Sequence, residues 1–116
     1  MNLEMTKVVN IRLEPYDQYI GRVKNSDQHF GNPFSHQPNT LASVKVATVE
    51  EAVQAYEDWL IGLDYQDIEP ERRTWILDNL CRLKNKRLGC FCVNPKYPNA
   101  RCHGHVLKKF VEKFCK

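Results

Sequence analysis

The sequence predicts an α/β domain in which a small sheet of about three or more strands is flanked by three helices. Two observations support this. Short β-branched segments occur near both ends of the chain, and three amphipathic segments with helical spacing lie after or between them. The 116 residues suffice for a single domain over 1–116. We therefore expect a Rossmann-like arrangement with three layers, or with two.

The first two strands are predicted near the N-terminus. Lys7–Leu13 is rich in β-branched residues and alternates partly between apolar and polar side chains. Pro15 interrupts this pattern, and Asp17–Val23 predicts a second, short strand. The segment Lys24–Ala47 then lacks clear periodicity, and an irregular segment of this length in a compact domain is usually functional or disordered.

Two scaffold helices, a third strand and a final helix make up the rest of the prediction. Thr48–Gly62 predicts a helix that begins with a capping box and ends at a glycine. A second helix begins near Pro70, a residue suited to the first turn. Arg87–Val93 predicts an apolar strand, and the last helix begins near His103. The loop between these two elements should then lie at the carboxyl end of the sheet.

Composition and charge indicate which kinds of binding partner the protein has. The chain is 42% hydrophobic and 27% charged, and its net charge is +3 with the basic residues spread along it. A dedicated nucleic-acid-binding protein would have a clustered basic face and a pI above about 9. No apolar stretch approaches the roughly 18 residues that span a bilayer, and a signal-peptide pattern is missing at the start. We therefore expect a cytoplasmic protein whose partner is neither a membrane nor a nucleic acid.

The cysteine count bears on the redox setting. Five cysteines are an odd number, which does not favour a secreted disulfide framework. Cys81 and Cys115 fall on faces of predicted helices, and we expect both to be small apolar residues.

The other cysteines concentrate, with two histidines, at the two ends of the loop before the last helix: Cys90, Cys92, Cys102, His103 and His105. Three cysteines and one histidine, namely Cys90, Cys92, Cys102 and His103, match a known structural zinc composition. The spacing C-x-C followed by C-H differs from the commoner C-x2–4-C, and His105 could replace His103. In an interpretation without any ligand, small cysteines fill a tight strand and His103 caps the helix.

Anion binding is the other functional interpretation of this segment. A strand, a loop and a helix N-terminus place unpaired N–H groups and the positive end of a helix dipole together. Gly104 would allow a ligand to approach closely, and Arg12, Arg22 or Arg101 could complete the positive charge. A cysteine at a helix start, such as Cys102, is also a candidate thiolate nucleophile.

A second motif lies within the long irregular segment, where His29–Phe34 reads HFGNPF. Asn32 and the proline after it form a turn signal that follows Gly31 and is flanked by two phenylalanines. One interpretation is a turn fixed by two aromatic side chains. The other is a loop that leans over a ligand, with Gly31 and Asn32 close to it.

These motifs together resemble the domain-of-unknown-function 4326 family, small proteins that recur in bacteriophage and bacterial genomes. The matching pieces are VVNIR, YIGR, GNPF, LGCFC and CHGHVL, in that order, and they cover the chain apart from the middle helices. Phe30 and Phe91 stand where the family commonly has tryptophan. Gly104 and His105 stand where a small residue and an aspartate usually follow Cys-His, so the resemblance carries no acid–base role to His105.

The resemblance implies shared positions rather than an activity. These positions are Arg22, Gly31, Asn32, Pro33, Cys90, Cys92, Cys102 and His103. A metal site would account only for the shared positions at the cysteine-rich end. A pocket between the two loops would account for both sets of shared positions, with Arg22 on a phosphate and Asn32 on a base or ribose edge. The phage setting of the family favours nucleotide metabolism or neutralisation of a host defence signal, which makes a host defence component a further candidate partner.

We therefore predict a phage-associated protein that binds a phosphorylated small ligand, a nucleotide or nucleotide derivative, between the GNPF loop and the CFC/CHGH segment. The alternative is a zinc-stabilised interaction module that binds a host protein or nucleic acid. No Ser/His/Asp set, Walker-type glycine loop or pair of carboxylates at useful spacing points to a particular reaction.

Overall fold

A three-stranded parallel sheet, a small two-stranded sheet and three helices form the part of the chain that the computed structural model describes, residues 6–24, 28–35, 43–90 and 102–115. The elements in chain order are β1 (Lys7–Asn10), β2 (Gln18–Tyr19), β3 (Phe34–Ser35), β4 (Val44–Lys45), α1 (Val49–Ile61), α2 (Pro70–Asn79), a 3-10 helix (Leu80–Leu83), β5 (Arg87–Cys90) and α3 (His103–Phe114). The predicted α/β class, with a small sheet and three helices, is confirmed.

The main sheet has the order β1-β5-β2, with β1 and β2 each parallel to the central β5. Asn10 at the end of β1 lies opposite Cys90 at the end of β5, and Tyr19 of β2 lies opposite Gly89. Because all three strands run in the same direction, the residues that follow them meet at one edge of the sheet. The residues between Tyr19 and Arg22 therefore leave the sheet beside the end of β5.

The strands were predicted less well than the helices. The strand predicted over Lys7–Leu13 ends at Asn10, because the Asn10 side chain accepts a hydrogen bond from the N–H of Arg12 (2.9 Å) and its carbonyl accepts from the two residues after that. The second strand has only two residues. The segment predicted as one long loop contains β3 and β4, which pair in parallel. Strands of two residues are too short to show any periodicity.

The helices begin where the sequence predicts. Thr48 caps α1 by accepting a hydrogen bond from the N–H of Glu51 (3.1 Å), and Gly62 ends it with φ 87°, a conformation that glycine adopts without strain. α2 begins at Pro70 and α3 at His103. The buried face of α1, which includes Tyr56 and Trp59, packs into one hydrophobic core with β5, α3 and the aromatic residues around β3.

Cys81 and Cys115 form a disulfide, so the prediction that they are unpaired small apolar residues is wrong. Cys81 lies in the 3-10 helix and Cys115 directly follows α3, with their Cα atoms 5.4 Å apart. Helical spacing placed both residues on faces of predicted helices, whereas Cys81 lies in the 3-10 helix after α2 and Cys115 lies just beyond α3. The spacing carried no information on the pairing, because that depends on how the 3-10 helix packs against the end of α3.

Candidate functional site

The loop His29–Asn32 is largely buried, and three of its four carbonyls are bonded by side chains from α1, α2 and the segment after β2. Arg72 of α2 donates to the first carbonyl (3.1 Å), Tyr56 of α1 to the second (2.7 Å), and Arg22, which follows β2, to the fourth (3.0 Å). A buried carbonyl without a partner is destabilising, so these bonds explain how an irregular segment can lie inside the protein. They also hold the loop in a defined position relative to all three elements.

The glycine and asparagine of the GNPF motif fix the shape of this loop. A Cβ on Gly31 would lie 2.7 Å from the Cα of Arg22 and 2.4 Å from its Cγ, so a side chain does not fit there. The Gly31 N–H donates to Nδ1 of His29 (3.2 Å). The Asn32 amide accepts from the backbone N–H two residues later (2.9 Å) and donates to the carbonyl of Ala52 (2.9 Å). Both ends of the Asn32 amide therefore hold the loop against itself and against α1.

Arg22 and Arg72 share one carboxylate, that of Glu69. Arg72 Nε lies 2.6 Å from Glu69 Oε1, and Arg22 Nη2 lies 3.4 Å from the same oxygen; Ser43 also donates a hydrogen bond to Glu69. The Arg72 side chain is only 2% exposed, whereas those of Arg22 and Glu69 are 18% and 21% exposed. Arg22 Nε and Arg72 Nη2 are buried and have no hydrogen-bond partner in the part of the chain that the structure describes.

The charge of this arginine–glutamate cluster is positive. Burial alone raises the pKa of Glu69, but hydrogen bonds from Ser43 and Arg72 and the charges of both guanidinium groups outweigh it, so the pKa lies below its ordinary value. Burial lowers the pKa of Arg22, but a guanidinium group stays protonated in proteins. Two guanidinium charges therefore face one carboxylate charge.

Glu69 also has an unusual backbone. It precedes α2 with φ 40° and ψ 55°, and its side chain makes no capping hydrogen bond to the helix. For a residue with a Cβ, this left-handed conformation costs about 1–2 kcal/mol. The Glu69 carboxylate thus binds the arginines and does not cap the first-turn N–H groups of α2.

At the start of α3, the predicted site residues make hydrogen bonds and packing contacts within the protein. Cys102 Sγ accepts from the Gly104 N–H (3.4 Å), and the Cys102 N–H donates to Nδ1 of His105 (3.1 Å), which together cap the helix. Cys102 Sγ also lies 3.1 Å from Cys90 Sγ. A Cβ on Gly104 would lie 2.7 Å from the Ile20 side chain, so this glycine allows the helix to pack closely on the sheet.

His103 connects the start of α3 to the segment that carries Arg22. Its Nε2 lies 2.6 Å from the carbonyl of Ile20 and must donate, which leaves Nδ1 without a hydrogen, 3.7 Å from Cys102 Sγ. Burial lowers the pKa of His103, so the ring is neutral. The ring also meets Tyr56 edge-on at 5.1 Å, and Tyr56 bonds the buried loop. Tyr56 therefore contacts both the buried loop 29–32 and the start of α3.

The remaining predicted residues lie elsewhere or are not described. Arg12 is in the exposed turn after β1 and lines an open surface depression with the other residues of 11–16, none of which is a predicted site residue. Arg101 of the predicted ligand site and Cys92 of the predicted zinc site lie outside the described residues. Among the described residues, no group of three or more His, Cys, Asp or Glu side chains is placed to hold a metal ion. Zinc therefore stays a prediction.

Sequence reasoning missed three residues that organise this site: Tyr56, Glu69 and Arg72. All three lie on or next to helices that were interpreted as scaffold. Tyr56 has the spacing of an ordinary core residue, and nothing in the sequence PERR distinguishes a buried arginine from an exposed one. The one available signal was the concentration of charge at the start of α2, beside a proline that marks a helix N-terminus.

The fold and the site define a small parallel α/β protein in which two arginines and a shared glutamate adjoin a buried glycine–asparagine turn. The family model described as Domain of unknown function (DUF4326) matches residues 3–113, and the chain belongs to this family. The resemblance seen in the sequence is thereby confirmed. Searches of curated proteins and of solved structures found no match. In the described part of the chain, no helix has the length and apolar character to cross a membrane.

Proposed function

We propose that the protein binds a phosphorylated small ligand, a nucleotide or nucleotide derivative, with a phosphate on Arg22 and Arg72. The ligand lies on the partly exposed side of these arginines, beside Glu69 and the buried loop 29–32. The observation that carries the proposal is the pair of buried N–H groups, Arg22 Nε and Arg72 Nη2, that lack a partner among the described residues. Leaving such a donor unsatisfied costs about 1–3 kcal/mol, and more when the group is charged. A bound anion supplies the missing acceptors.

The surroundings of the two arginines also favour an anion. The planar guanidinium fork matches the oxygens of a phosphate, and the cluster with Glu69 carries one excess positive charge. The N-terminus of α2 adds its positive dipole end and the N–H groups of its first turn, which the Glu69 side chain does not cap. Arg22 and Glu69 are partly exposed, so a ligand from solution can reach this side of the cluster.

An aromatic side chain near Glu69 supports a ligand with a base. The ring of Tyr65 packs against Phe34 at 4.8 Å and is 37% exposed. Tyr65 opens the turn that leads to Glu69, since its carbonyl accepts the N–H of Ile68 (3.0 Å). Stacking of a base on an aromatic ring contributes about 1–3 kcal/mol. A nucleotide can thus place its phosphate on the arginines and its base on Tyr65.

The phosphate contact is tested with ADP by thermal shift and calorimetry. Ligand at about 100 times its Kd stabilises the folded state by about 2.7 kcal/mol, which is roughly 10 °C for a domain of this size. Arg22→Lys keeps the charge but loses the fork, and we expect at least a roughly tenfold weaker Kd. The control is Arg82→Lys on the exposed surface. The proposal fails if ADP and pyrophosphate give no shift at about 10 mM, or if the two variants bind alike.

A separate comparison tests the base contact. Tyr65→Ala should weaken ADP about tenfold and leave pyrophosphate unchanged, because only ADP has a base to stack. Tyr16→Ala is the matched control, since Tyr16 is 44% exposed but lies on the turn after β1. Equal losses for ADP and pyrophosphate in Tyr65→Ala would assign the ring a structural role.

A second candidate function is the zinc-stabilised interaction module for a host protein or nucleic acid. The 3.1 Å separation of the Cys90 and Cys102 sulfurs favours this function. Nδ1 of His103, which carries no hydrogen, lies 3.7 Å from Cys102 Sγ. Nε2 of the same ring donates to a carbonyl, as the second ring nitrogen of a metal-bound imidazole commonly does. Cys92 would have to supply the fourth ligand. Elemental analysis should then find about one zinc per chain, lost together with folding on chelation. Metal-free, folded protein purified from zinc-supplemented cells would contradict this function.

A further inference from the structure

We infer that Glu69 is an internal ligand of the two arginines that an incoming phosphate must displace, so that only a ligand with a doubly charged phosphate binds well. The inference rests on the proposed function, because it concerns the same arginine pair. It assigns Glu69 a role in the specificity and regulation of the site.

In each arginine, the Glu69 carboxylate binds only one of the two neighbouring nitrogens, Nε and Nη2, that can hold an anion together. The Nε and Nη2 groups of a guanidinium lie side by side and can hold two oxygens of one carboxylate or phosphate. In Arg72 the carboxylate binds Nε (2.6 Å) and leaves Nη2 unpartnered among the described residues. In Arg22 it binds Nη2 (3.4 Å) and leaves Nε unpartnered. Two carboxylate oxygens do not fill both forks, whereas the three or four oxygens of a phosphate can.

The position of Glu69 allows it to leave. Its left-handed backbone is strained for a non-glycine residue, and strain of this kind persists only where surrounding contacts hold it. The contacts of its side chain are those to the two arginines and to Ser43, which is exposed, and its carbonyl accepts from the Arg73 N–H (3.0 Å). Because the carboxylate is itself 21% exposed, it can turn into solvent once a stronger ligand takes the arginines.

The exchange of charge selects the ligand. Replacing the Glu69 carboxylate by a singly charged phosphodiester substitutes one negative charge for another, so little electrostatic attraction is gained. A phosphomonoester or the terminal phosphate of a diphosphate brings about two negative charges to the same pair of guanidinium groups. A doubly charged phosphate therefore displaces the Glu69 carboxylate from the arginines, whereas a phosphodiester does not.

The experiment measures Kd by calorimetry, with pyrophosphate and dimethyl phosphate as probes. Glu69→Gln should bind pyrophosphate at least about tenfold more tightly than the wild type and bring dimethyl phosphate into the measurable range, since the competitor has lost its charge. Glu71→Gln removes a charge from the exposed first turn of the same helix and should change either Kd by less than about threefold.

Ser43→Ala separates displacement from a general effect of charge. It changes no charge but removes a hydrogen bond that holds Glu69 in place. If the carboxylate is displaced, this variant should bind pyrophosphate about fivefold more tightly, since a net hydrogen bond contributes about 1 kcal/mol. Ser43→Ala also provides the test if Glu69→Gln, which leaves Arg72 without its closest partner, does not fold.

The outcomes are distinct for the two proposals. If the wild type binds pyrophosphate but neither Glu69→Gln nor Ser43→Ala binds more tightly, Glu69 is a structural ion-pair partner and the inference is wrong, while the proposed function stands. If neither the wild type nor any variant binds at about 10 mM pyrophosphate, the proposed function fails and the inference fails with it.

Discussion

Arg72 offers the most direct test of how α2 and the buried loop hold each other. Arg72→Met keeps an unbranched side chain but removes the guanidinium group. The change breaks the ion pair with Glu69 (2.6 Å) and the hydrogen bond to the carbonyl of His29 (3.1 Å). It also removes the guanidinium from the face of Trp59, where it lies 5.3 Å from the ring centre.

These three losses set the expected magnitude. Removing one partner of a buried ion pair costs about 3–5 kcal/mol, and we take about 3 kcal/mol because Glu69 keeps Arg22 and some exposure. The unsatisfied carbonyl adds about 1 kcal/mol. The lost cation–π contact adds about 1 kcal/mol. A total of about 5 kcal/mol is a large part of the 5–15 kcal/mol typical of a domain and corresponds to a fall in Tm of roughly 20 °C.

Urea denaturation followed by tryptophan fluorescence measures this loss, with calorimetry for Tm. Arg82→Met is the control, because it makes the same change on the exposed surface of the 3-10 helix. The double variant Glu69→Gln/Arg72→Met should recover part of the loss, since it leaves no acidic partner behind. If Arg72→Met melts within about 3 °C of Arg82→Met, less than about 1 kcal/mol is at stake and the stabilising role of the buried pair is refuted.

Three further predictions concern the rest of the molecule. Gly31→Ala would put a Cβ 2.7 Å from neighbouring backbone, so we expect a loss of about 1–3 kcal/mol in urea denaturation together with weaker ADP binding; unchanged stability and binding would show that the loop has room. The disulfide between Cys81 and Cys115 closes a segment with a sequence separation of 34, which restricts the unfolded chain by about 4 kcal/mol; melts with and without reductant should differ accordingly, and coinciding melts of protein shown by mass spectrometry to contain the bond would contradict this. Hydrogen bonds from Arg87 lower the pKa of Asp17 from 3.8 to about 2. The ionised Asp17 carboxylate therefore contributes fully to the free energy of unfolding above pH 3.8, and this contribution is lost as the pH falls through about 2. Wild type and Asp17→Asn should therefore converge in urea midpoint over that range, and parallel curves would show that the pair does not contribute.

The helices and the location of the candidate segments could be predicted because their signals are local. Thr48 and Gly62 bound α1 through contacts within a few residues of each helix end. Pro70 marks the start of α2 because its fixed φ suits the first turn, where its missing N–H is not needed. The motifs GNPF and CHGH could be located in the same way, since unusual residues stand side by side in them. The roles of those residues could not be read locally. Asn32 turns out to bond the carbonyl of Ala52, twenty residues away.

By itself, the sequence determined the α/β class, the family, the three helices and the location of the GNPF and CHGH motifs. Only the tertiary structure decided that Arg72 is buried beside Glu69, that Cys81 pairs with Cys115, and that Tyr56 joins the loop to α3. The physical reason is the range of the interactions. Helix caps and periodic apolar faces act within one or two turns of the chain, whereas burial of a charge and pairing of distant side chains depend on how whole elements pack.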